Sequence, residues 1–156
     1  MKKVILCIIC IAMALSVAAC GGSNGAVKNV EGTLSEIFKK IYAESGVESP
    51  MLMEVAVDAT NKASMLGSND VTFTEGLASE AAIMTIPHSM VLIRVDKSVD
   101  VEKTKQLIRD NVNPRKWICV GVEADQVIVD SIGDLVFLVM SADAAAYHAS
   151  FLKLAA

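Results

Sequence analysis

The stretch Leu135-Val136-Phe137-Leu138-Val139-Met140 is apolar at every position and rich in β-branched and aromatic side chains. Side chains alternate between the two faces of a strand, so a strand of this kind needs cover on both faces. Either helices pack on both faces of its sheet, or one face is covered by a partner or a second copy. We favour helices on both faces, because the rest of the sequence predicts several helices and monomers rarely expose large apolar patches.

The residues around this stretch predict its neighbours in the sheet. Gly133-Asp134, immediately before it, is a two-residue hairpin signal in which glycine supplies the positive φ of a type II′ turn. The strand on the other side of that turn is expected at 126–132. Further strands are predicted from composition at 81–86, 90–95 and 116–122. Their short connections, among them Pro87-His88-Ser89, favour antiparallel neighbours.

Helices are predicted from capping residues and apolar periodicity. The first begins with the capping box Thr33-Leu34-Ser35-Glu36 and ends at Gly46. The others are expected at 58–66, capped by Asp58 and ended by Gly67, at 99–112, ended by Asn113-Pro114, and at 142–154. The segment 51–57 is apolar without clear periodicity and is compatible with strand or helix. The predicted fold class is α+β, a five-stranded, mainly antiparallel sheet with about four packed helices.

The N-terminus has the pattern of a bacterial lipoprotein signal. Met1-Lys2-Lys3 precedes an apolar run at 4–15 that is too short to span a membrane comfortably, and Val17-Ala18-Ala19-Cys20 resembles a lipobox. We expect lipidation of Cys20, which attaches the chain to the extracytoplasmic side of the cell membrane. The predicted organisation is a signal peptide at 1–19, a flexible tether at 20–32 and a single α+β domain at 33–156.

Charge and cysteine content argue against several functions. Cleavage removes Lys2 and Lys3, which lowers the basic count from 14 to 12 against 18 acidic residues and leaves a formal charge of −6. Nucleic acid is therefore not an expected partner, since its phosphates require a basic surface. Cys7 and Cys10 are discarded with the signal. Cys119 then remains as the one thiol, and we expect it to be buried as a small apolar residue.

These features together resemble a bacterial lipoprotein family known as domain of unknown function 4358. The shared features are the lipobox, the capped first helix, the helix stop at Leu66-Gly67, a strand pair within 83–95, a lysine-bearing helix from about Val99, and the closing strands Val127-Ile128-Val129 and Val136-Phe137-Leu138-Val139. The resemblance extends over 34–153 and implies a small extracytoplasmic α+β lipoprotein. It implies no catalytic residue, because the function of that family is itself unknown. One departure is 113–117, where the connection after the helix looks short.

Few residues are candidates for catalysis or metal binding. His88 and His148 are the only histidines, and neither belongs to a recognisable Ser-His-Asp or Cys-His motif, so we expect both to be solvated or capping residues. Met51-Leu52-Met53 and His88-Ser89-Met90 place soft Cu(I) ligands at strand spacing. Core-filling methionines explain these residues more simply in a chain with 4% aromatic residues. No metal or cofactor is therefore predicted.

A basic segment that contains the single tryptophan is the predicted contact surface for a ligand or partner. Its residues are Lys103, Lys105, Arg109, Arg115, Lys116 and Trp117. The cations are expected either on a solvated helix face or at a site for an acidic partner or headgroup. Trp117 is expected either at an interface hot spot or as an anchor at the edge of the core.

The expected function is that of a lipid-anchored cell-envelope lipoprotein that binds an envelope protein, a peptide or a small ligand without catalysis; a weak homodimer is a further option. The alternative is a small extracytoplasmic enzyme, resembling a hydrolase, that uses His88 and nearby carboxylates. A concave pocket with His88 beside a carboxylate of perturbed pKa would favour the enzyme. An exposed apolar patch on a flat surface around Trp117 would favour the binding domain.

Overall fold

The computed structural model describes residues 29–156. In chain order its elements are α1 (Leu34–Ser45), β1 (Leu52–Ala56), α2 (Lys62–Leu66), β2 (Glu75–Ala81), β3 (His88–Arg94), α3 (Val101–Asn111), β4 (Val127–Ile132), β5 (Leu135–Ser141) and α4 (Ala144–Leu152). Short 3-10 turns precede β4 at Ala124–Gln126 and follow α4 at Lys153–Ala155. The predicted signal peptide, Cys20 and most of the predicted tether lie outside the described residues. No helix within 29–156 has the length and apolar character needed to cross a membrane.

The strands form one sheet in the order β1-β2-β3-β5-β4, and every neighbouring pair is antiparallel. Gly133, in the hairpin between β4 and β5, has φ +57°, as its place in a tight turn requires. The predicted class is confirmed: the fold is α+β, with a five-stranded antiparallel sheet and four packed helices.

Helices cover both faces of the sheet, which is the favoured one of the two alternatives that the apolar pattern of β5 left open. α1 and α4 pack on one face, where Phe38, Phe137 and Phe151 belong to one buried cluster. α2, α3 and the segment 112–122 pack on the other face, where Ile108 and Trp117 belong to a second cluster. Every residue of β5 is buried. The sheet is therefore the middle of three layers.

Local signals account for the ends of α1 and α2. The Thr33 N–H donates to Glu36 Oε2 at 2.9 Å and the Glu36 N–H donates to Thr33 Oγ1 at 3.2 Å, which completes the predicted capping box. Gly46 (φ +68°) and Gly67 (φ +84°) end the two helices in the left-handed conformation. A Cβ at Gly67 would collide with the backbone of Asn111, so this glycine also allows α2 to approach the end of α3.

Two of the predicted strands were wrong. The segment 116–122 belongs to a loop. The Val122 N–H donates a hydrogen bond to the Pro114 carbonyl at 2.9 Å, and this bond closes the loop. Cys119 in this loop has φ +60°, which interrupts an extended backbone. The fifth strand is instead β1, in the segment compatible with strand or helix. β2 lies at 75–81 rather than 81–86, because 82–87 forms the connection to β3.

Three local expectations are also corrected. His88 is the first residue of β3 rather than part of a turn. α2 begins at Lys62, and Asp58 caps the preceding turn instead, where its Oδ1 accepts from the Thr60 N–H at 2.7 Å. Cys119 is exposed rather than buried, and the buried apolar side chains of this loop are those of Trp117 and Val122.

Candidate functional site

A cleft of about 420 Å³ lies between the β1 end of the sheet and Trp117, and we call it the Trp117 cleft. Its apolar walls include Met53, Val55, Met65, Ala81, Met84 and Trp117, and its polar groups come from Ser64, Glu80 and Lys116. These residues come from β1, α2, β2 and two connections, so tertiary packing alone brings them together. A concave, mainly apolar site with few polar groups is typical of ligand binding.

The polar groups of the Trp117 cleft satisfy one another in what we call the Lys116 network. Lys116 Nζ donates to Glu80 Oε1 and to Ser89 Oγ, both at 2.9 Å, and Ser89 Oγ donates to the same carboxylate oxygen at 2.5 Å. The Lys116 and Glu80 side chains are only 14% and 13% exposed. A further N–H of Lys116 donates to Met65 Sδ, with Nζ and Sδ 3.7 Å apart, and a thioether is a weak hydrogen-bond acceptor. The network is therefore neutral overall and has one weakly used donor.

Exposed apolar side chains lie in or next to the segments that line the Trp117 cleft. They are Met51, Met53, Ile83, Met84 and Ile118. Met51 lies next to the cleft, since its carbonyl accepts a hydrogen bond from the N–H of Ala82, which lines the cleft. Within 29–156 the other exposed large apolar side chain is Leu152, which lies on α4. Exposed apolar surface is thus concentrated at the cleft, as it is at interaction sites.

A second cleft, of about 400 Å³, is lined in part by His88. This histidine is 2% exposed, so the expectation of a solvated or capping residue was wrong. Its Nε2 lies 2.9 Å from Tyr42 Oη and its Nδ1 lies 3.2 Å from Ser141 Oγ, while the Tyr147 ring packs edge-on at 5.4 Å between centroids. Burial lowers the pKa of His88 to about 4, against a smaller opposing effect of the Asp143 carboxylate. The imidazole is therefore neutral at pH 7.

Within 29–156 no carboxylate is hydrogen-bonded to the His88 ring, as one would be in a Ser-His-Asp arrangement. Glu48 and Asp143 line the same cleft, but the hydrogen bonds of the ring go to hydroxyl groups. Tyr42 Oη also lies 2.8 Å from Ser79 Oγ, and burial raises the pKa of Tyr42 above its ordinary value. These neutral hydrogen bonds link α1 to β2, β3 and β5. The arrangement supports a structural role for His88.

The other histidine, His148, is partly buried and lies 2.8 Å from Asp130, measured from Nε2 to Oδ2. Asp130 also accepts from the Ser131 N–H at 2.8 Å and lies 3.5 Å from Lys105 Nζ. Partial burial opposes ionisation of Asp130, but these three donors together hold its pKa below the ordinary value. Because His148 comes from α4 and Lys105 from α3, the Asp130 carboxylate connects the two helix layers across β4.

The residues of the predicted basic patch are divided among three places. Lys116 and Trp117 line the Trp117 cleft, where Trp117 is 6% exposed and anchors the edge of the core. Lys105 and Arg109 reach β4 from α3. The remaining two are exposed: Lys103 pairs with Asp100 at 3.5 Å and Arg115 with Glu123 at 3.7 Å. The structure thus brings together the last two residues of the patch.

The soft ligands considered for Cu(I) lie on opposite faces of the sheet. Met53 is on the face of the Trp117 cleft, whereas Met90 belongs to the cluster beneath α1 and α4. In the part of the chain that the structure describes, no group of three or more His, Cys, Asp or Glu side chains is placed to hold a metal ion. These methionines therefore do not assemble a copper site with His88.

Comparison with known proteins adds no relative: no family model, no curated protein and no solved structure matches the chain. The resemblance to domain of unknown function 4358, and the extracytoplasmic lipoprotein that it implies, therefore stay predictions from the sequence.

Sequence reasoning identified Lys116 and Trp117 but missed the other walls of the cleft. Met53, Met65 and Met84 come from separate segments, and no motif connects them. The available signal was the methionine content, 8 residues in a chain with 4% aromatics, because methionine is common at adaptable binding surfaces. That signal indicates a type of surface and does not locate it.

Proposed function

We propose that this chain is a lipid-anchored, non-enzymatic binding domain on the extracytoplasmic side of the cell membrane, and that the Trp117 cleft receives its ligand. The lipid on Cys20 holds the domain at the membrane, and the cleft binds an apolar group of a small ligand or of a protein. The observation that carries this proposal is the coincidence of an open, mainly apolar cleft with the exposed apolar side chains around it.

The Lys116 network indicates what the ligand carries besides its apolar part. The charge of Lys116 is offset by Glu80, so the cleft has little preference for an anion. The N–H that is left to Met65 Sδ can donate instead to a carbonyl oxygen, which is a stronger acceptor than a thioether. We therefore expect an uncharged apolar group beside a hydrogen-bond acceptor, a combination found in the apolar residues of peptides.

The alternative, a small extracytoplasmic hydrolase that uses His88 and nearby carboxylates, has less support from the geometry. His88 Nδ1 and Ser141 Oγ have the pairing of a base with a serine nucleophile, but both residues are buried, at 2% and 4% exposed. Within 29–156 the other ring nitrogen is bonded to the Tyr42 hydroxyl rather than to an orienting carboxylate.

Ser89 and Lys116 resemble a nucleophile with its base. However, the Ser89 hydroxyl donates to the Glu80 carboxylate, and Lys116 forms an ion pair with the same carboxylate. Neither of the two is then free to activate the other.

The fluorescence of Trp117 tests the cleft directly, because it is the only tryptophan in the chain. We expect the soluble compound N-acetyl-dileucine amide to shift Trp117 emission of the purified full chain in a saturable way. Met84→Glu should weaken this binding by roughly tenfold, because it places a charge on an exposed apolar wall of the cleft.

Leu152→Glu is the matched control for this experiment. Leu152 is 46% exposed and lies on α4, whereas Met84 is 50% exposed and lines the cleft, so the same charge enters a similar environment away from the site. We expect binding to Leu152→Glu to match that of the unmodified chain. Equal affinities of the two variants would show that the Trp117 cleft is not the ligand site.

The anchor has an independent test. Cys20→Ala should abolish metabolic lipid labelling and release the protein from the membrane fraction, since the acyl chains supply the membrane affinity. Cys119→Ala should leave both unchanged, because Cys119 lies outside the lipobox. Membrane attachment retained by Cys20→Ala would refute the anchor without affecting the proposal for the cleft.

A further inference from the structure

β1 lies at one edge of the sheet, and the hydrogen bonds around it show which of its residues face outward. In an antiparallel strand, alternate residues direct their backbone N–H and C=O groups to the same side. The Val57 N–H donates to the Gly76 carbonyl and the Ala82 N–H donates to the Met51 carbonyl, each at 2.9 Å. The odd-numbered residues of this segment therefore face β2, and the even-numbered residues face outward.

The outward groups of β1 belong to Leu52, Glu54 and Ala56. The Ala56 carbonyl accepts from Asn61 Nδ2 at 2.8 Å. Within residues 29–156, the backbone N–H and C=O groups of Leu52 and Glu54 have no hydrogen-bond partner on this side. Glu54 and Ala56 are also exposed. The outer side of β1 thus presents unpaired backbone groups of the kind that another strand can bind.

The opposite edge of the sheet, at β4, is partly covered. Ile132 pairs with β5 next to the two-residue turn, so the odd-numbered residues of β4 face outward. The Val129 carbonyl accepts from Arg109 Nη2 at 2.8 Å, and the Ser131 N–H donates to Asp130 Oδ1 at 2.8 Å. Side chains therefore occupy part of the outer side of β4, and β1 is the edge with more unpaired backbone groups.

The side chains of β1 define what an added strand would meet. Met53 and Val55 line the Trp117 cleft. Glu54 projects from the other face, where its Oε1 accepts from Ser35 Oγ at 2.9 Å. Directly opposite residues of paired strands share a face. An added strand would therefore direct alternate side chains into the cleft and the intervening ones toward Glu54.

The charge around β1 selects between partners. Between Lys40 and Lys62 the sequence contains acidic residues and no Lys or Arg, and the lysine of the adjoining cleft, Lys116, is paired with Glu80. The acidic residues are Glu44, Glu48, Glu54 and Asp58. A second copy of this chain would bring the same acidic edge, and like charges across paired strands are destabilising. A basic strand is the complementary one.

We propose that β1 binds an extended peptide as an additional antiparallel strand, in which apolar residues that enter the Trp117 cleft alternate with basic residues beside Glu54. This inference rests on the proposed function, because the cleft must accept the apolar side chains. Backbone hydrogen bonds to Leu52 and Glu54 supply affinity, and the alternation supplies specificity.

The test uses a soluble peptide of about seven residues that alternates leucine and lysine, with the full chain in nanodiscs of neutral phosphatidylcholine. With leucines opposite Met53 and Val55, the lysine N–H groups donate to β1 and the leucine N–H groups face solvent. N-methylation at the lysines should weaken binding by roughly tenfold or more. N-methylation at the leucines, the matched control, should change binding by less than about twofold. Calorimetry and Trp117 fluorescence both measure the affinity.

A substitution in the chain tests the charge preference. Glu54→Gln should weaken binding of the leucine-lysine peptide by about threefold at low salt, and added salt should remove the difference. Glu123→Gln is the control, because Glu123 is also exposed but lies just before β4. Equal effects of the two substitutions would show that charge at β1 does not select the peptide.

The outcomes separate this inference from the proposed function. Equal effects of the two methylated peptides would overturn strand addition; if N-acetyl-dileucine amide still bound, the cleft would remain a ligand site. Loss of both responses would overturn both proposals. A dimer detected by cross-linking and dissociated by Glu54→Pro, which removes an outward N–H, would show that a second copy occupies β1 and would overturn the peptide proposal.

Discussion

β1 and β4 end the same sheet, but the chain treats their outer sides differently. On β4, the Val129 carbonyl accepts from Arg109 and the Ser131 N–H donates to the neighbouring Asp130. On β1, the outward groups of Leu52 and Glu54 have no partner within 29–156. The strands have similar lengths, five and six residues, so length does not explain the difference. Protection of an edge depends here on side chains delivered to it.

The source of those side chains explains why one edge is better covered than the other. α3 packs against β4 and carries Lys105 and Arg109 to it, with the Asp130 carboxylate between α3 and α4. α2, beside β1, has five residues, and its Ser64 and Met65 line the Trp117 cleft. The long helix α3 thus supplies side chains to one edge, and the short helix α2 leaves a cleft beside the other.

The largest expected effect is the loss of stability in acid. It concerns His88, which is buried on the inner strand β3 rather than on an edge strand. The pKa of His88 is about 4 in the fold and about 6.5 in an unfolded chain, so between these values the unfolded chain binds more protons. The stability should therefore fall by about 3 kcal/mol as the pH decreases from about 6.5 to 4. Urea unfolding at several pH values measures this change.

His88→Gln provides the control for acidification, since glutamine does not titrate in this range. Its stability at neutral pH is expected to be lower, because Tyr42 and Ser141 lose their ring partner. Its dependence on pH between about 4 and 6.5 should nevertheless be much flatter than that of the unmodified chain. The same slope in both proteins would assign the acid sensitivity to other groups.

A smaller effect compares the two edges directly. Asp130→Ala removes the acceptor for Ser131, His148 and Lys105 and should lower the free energy of unfolding by about 2 kcal/mol. Glu54→Ala, on β1, should change it by less than about 0.5 kcal/mol, because Glu54 is exposed. Urea unfolding at pH 7 measures both values. If the two substitutions had equal effects, the side chain of Asp130 would not be what protects β4.

The smallest expected effect concerns individual amides. The Glu54 N–H should exchange with deuterium at least about tenfold faster than the Ser131 N–H after correction for intrinsic rates, since only the latter has a hydrogen-bond acceptor within 29–156. NMR-detected exchange measures both. Addition of the leucine-lysine peptide should slow exchange of the Glu54 N–H and leave the exchange rate of the Ser131 N–H unchanged. Equal protection of the two amides in the free protein would contradict the contrast between the edges.

Most of the fold could be predicted because its strongest signals are local. The capping box at Thr33, the Gly46 stop and the Gly133-Asp134 turn each act within a few residues, and the structure confirms all three. The segment 116–122 could not be assigned in this way. It is apolar enough for a strand, but the bond between Val122 and Pro114 closes it into a loop.

The candidate site was less predictable, because its residues meet only through packing. Trp117 could be named from its type, but Met53 and Met84 acquire significance only when β1 and the β2–β3 connection lie beside it. The burial of His88 was likewise invisible in a sequence where it follows a proline and precedes a serine. Its hydroxyl partners come from α1 and β5.

The sequence by itself determined the fold class, the cover on both faces of β5 and the ends of α1, because alternation, periodicity and capping are properties of neighbouring residues. It also predicts the lipid anchor at Cys20, which lies outside the described residues. Only the tertiary structure decided which edge is open and where the Trp117 cleft lies. Both depend on which side chains α2 and α3 bring to strands that are distant in sequence, and no local pattern encodes those contacts.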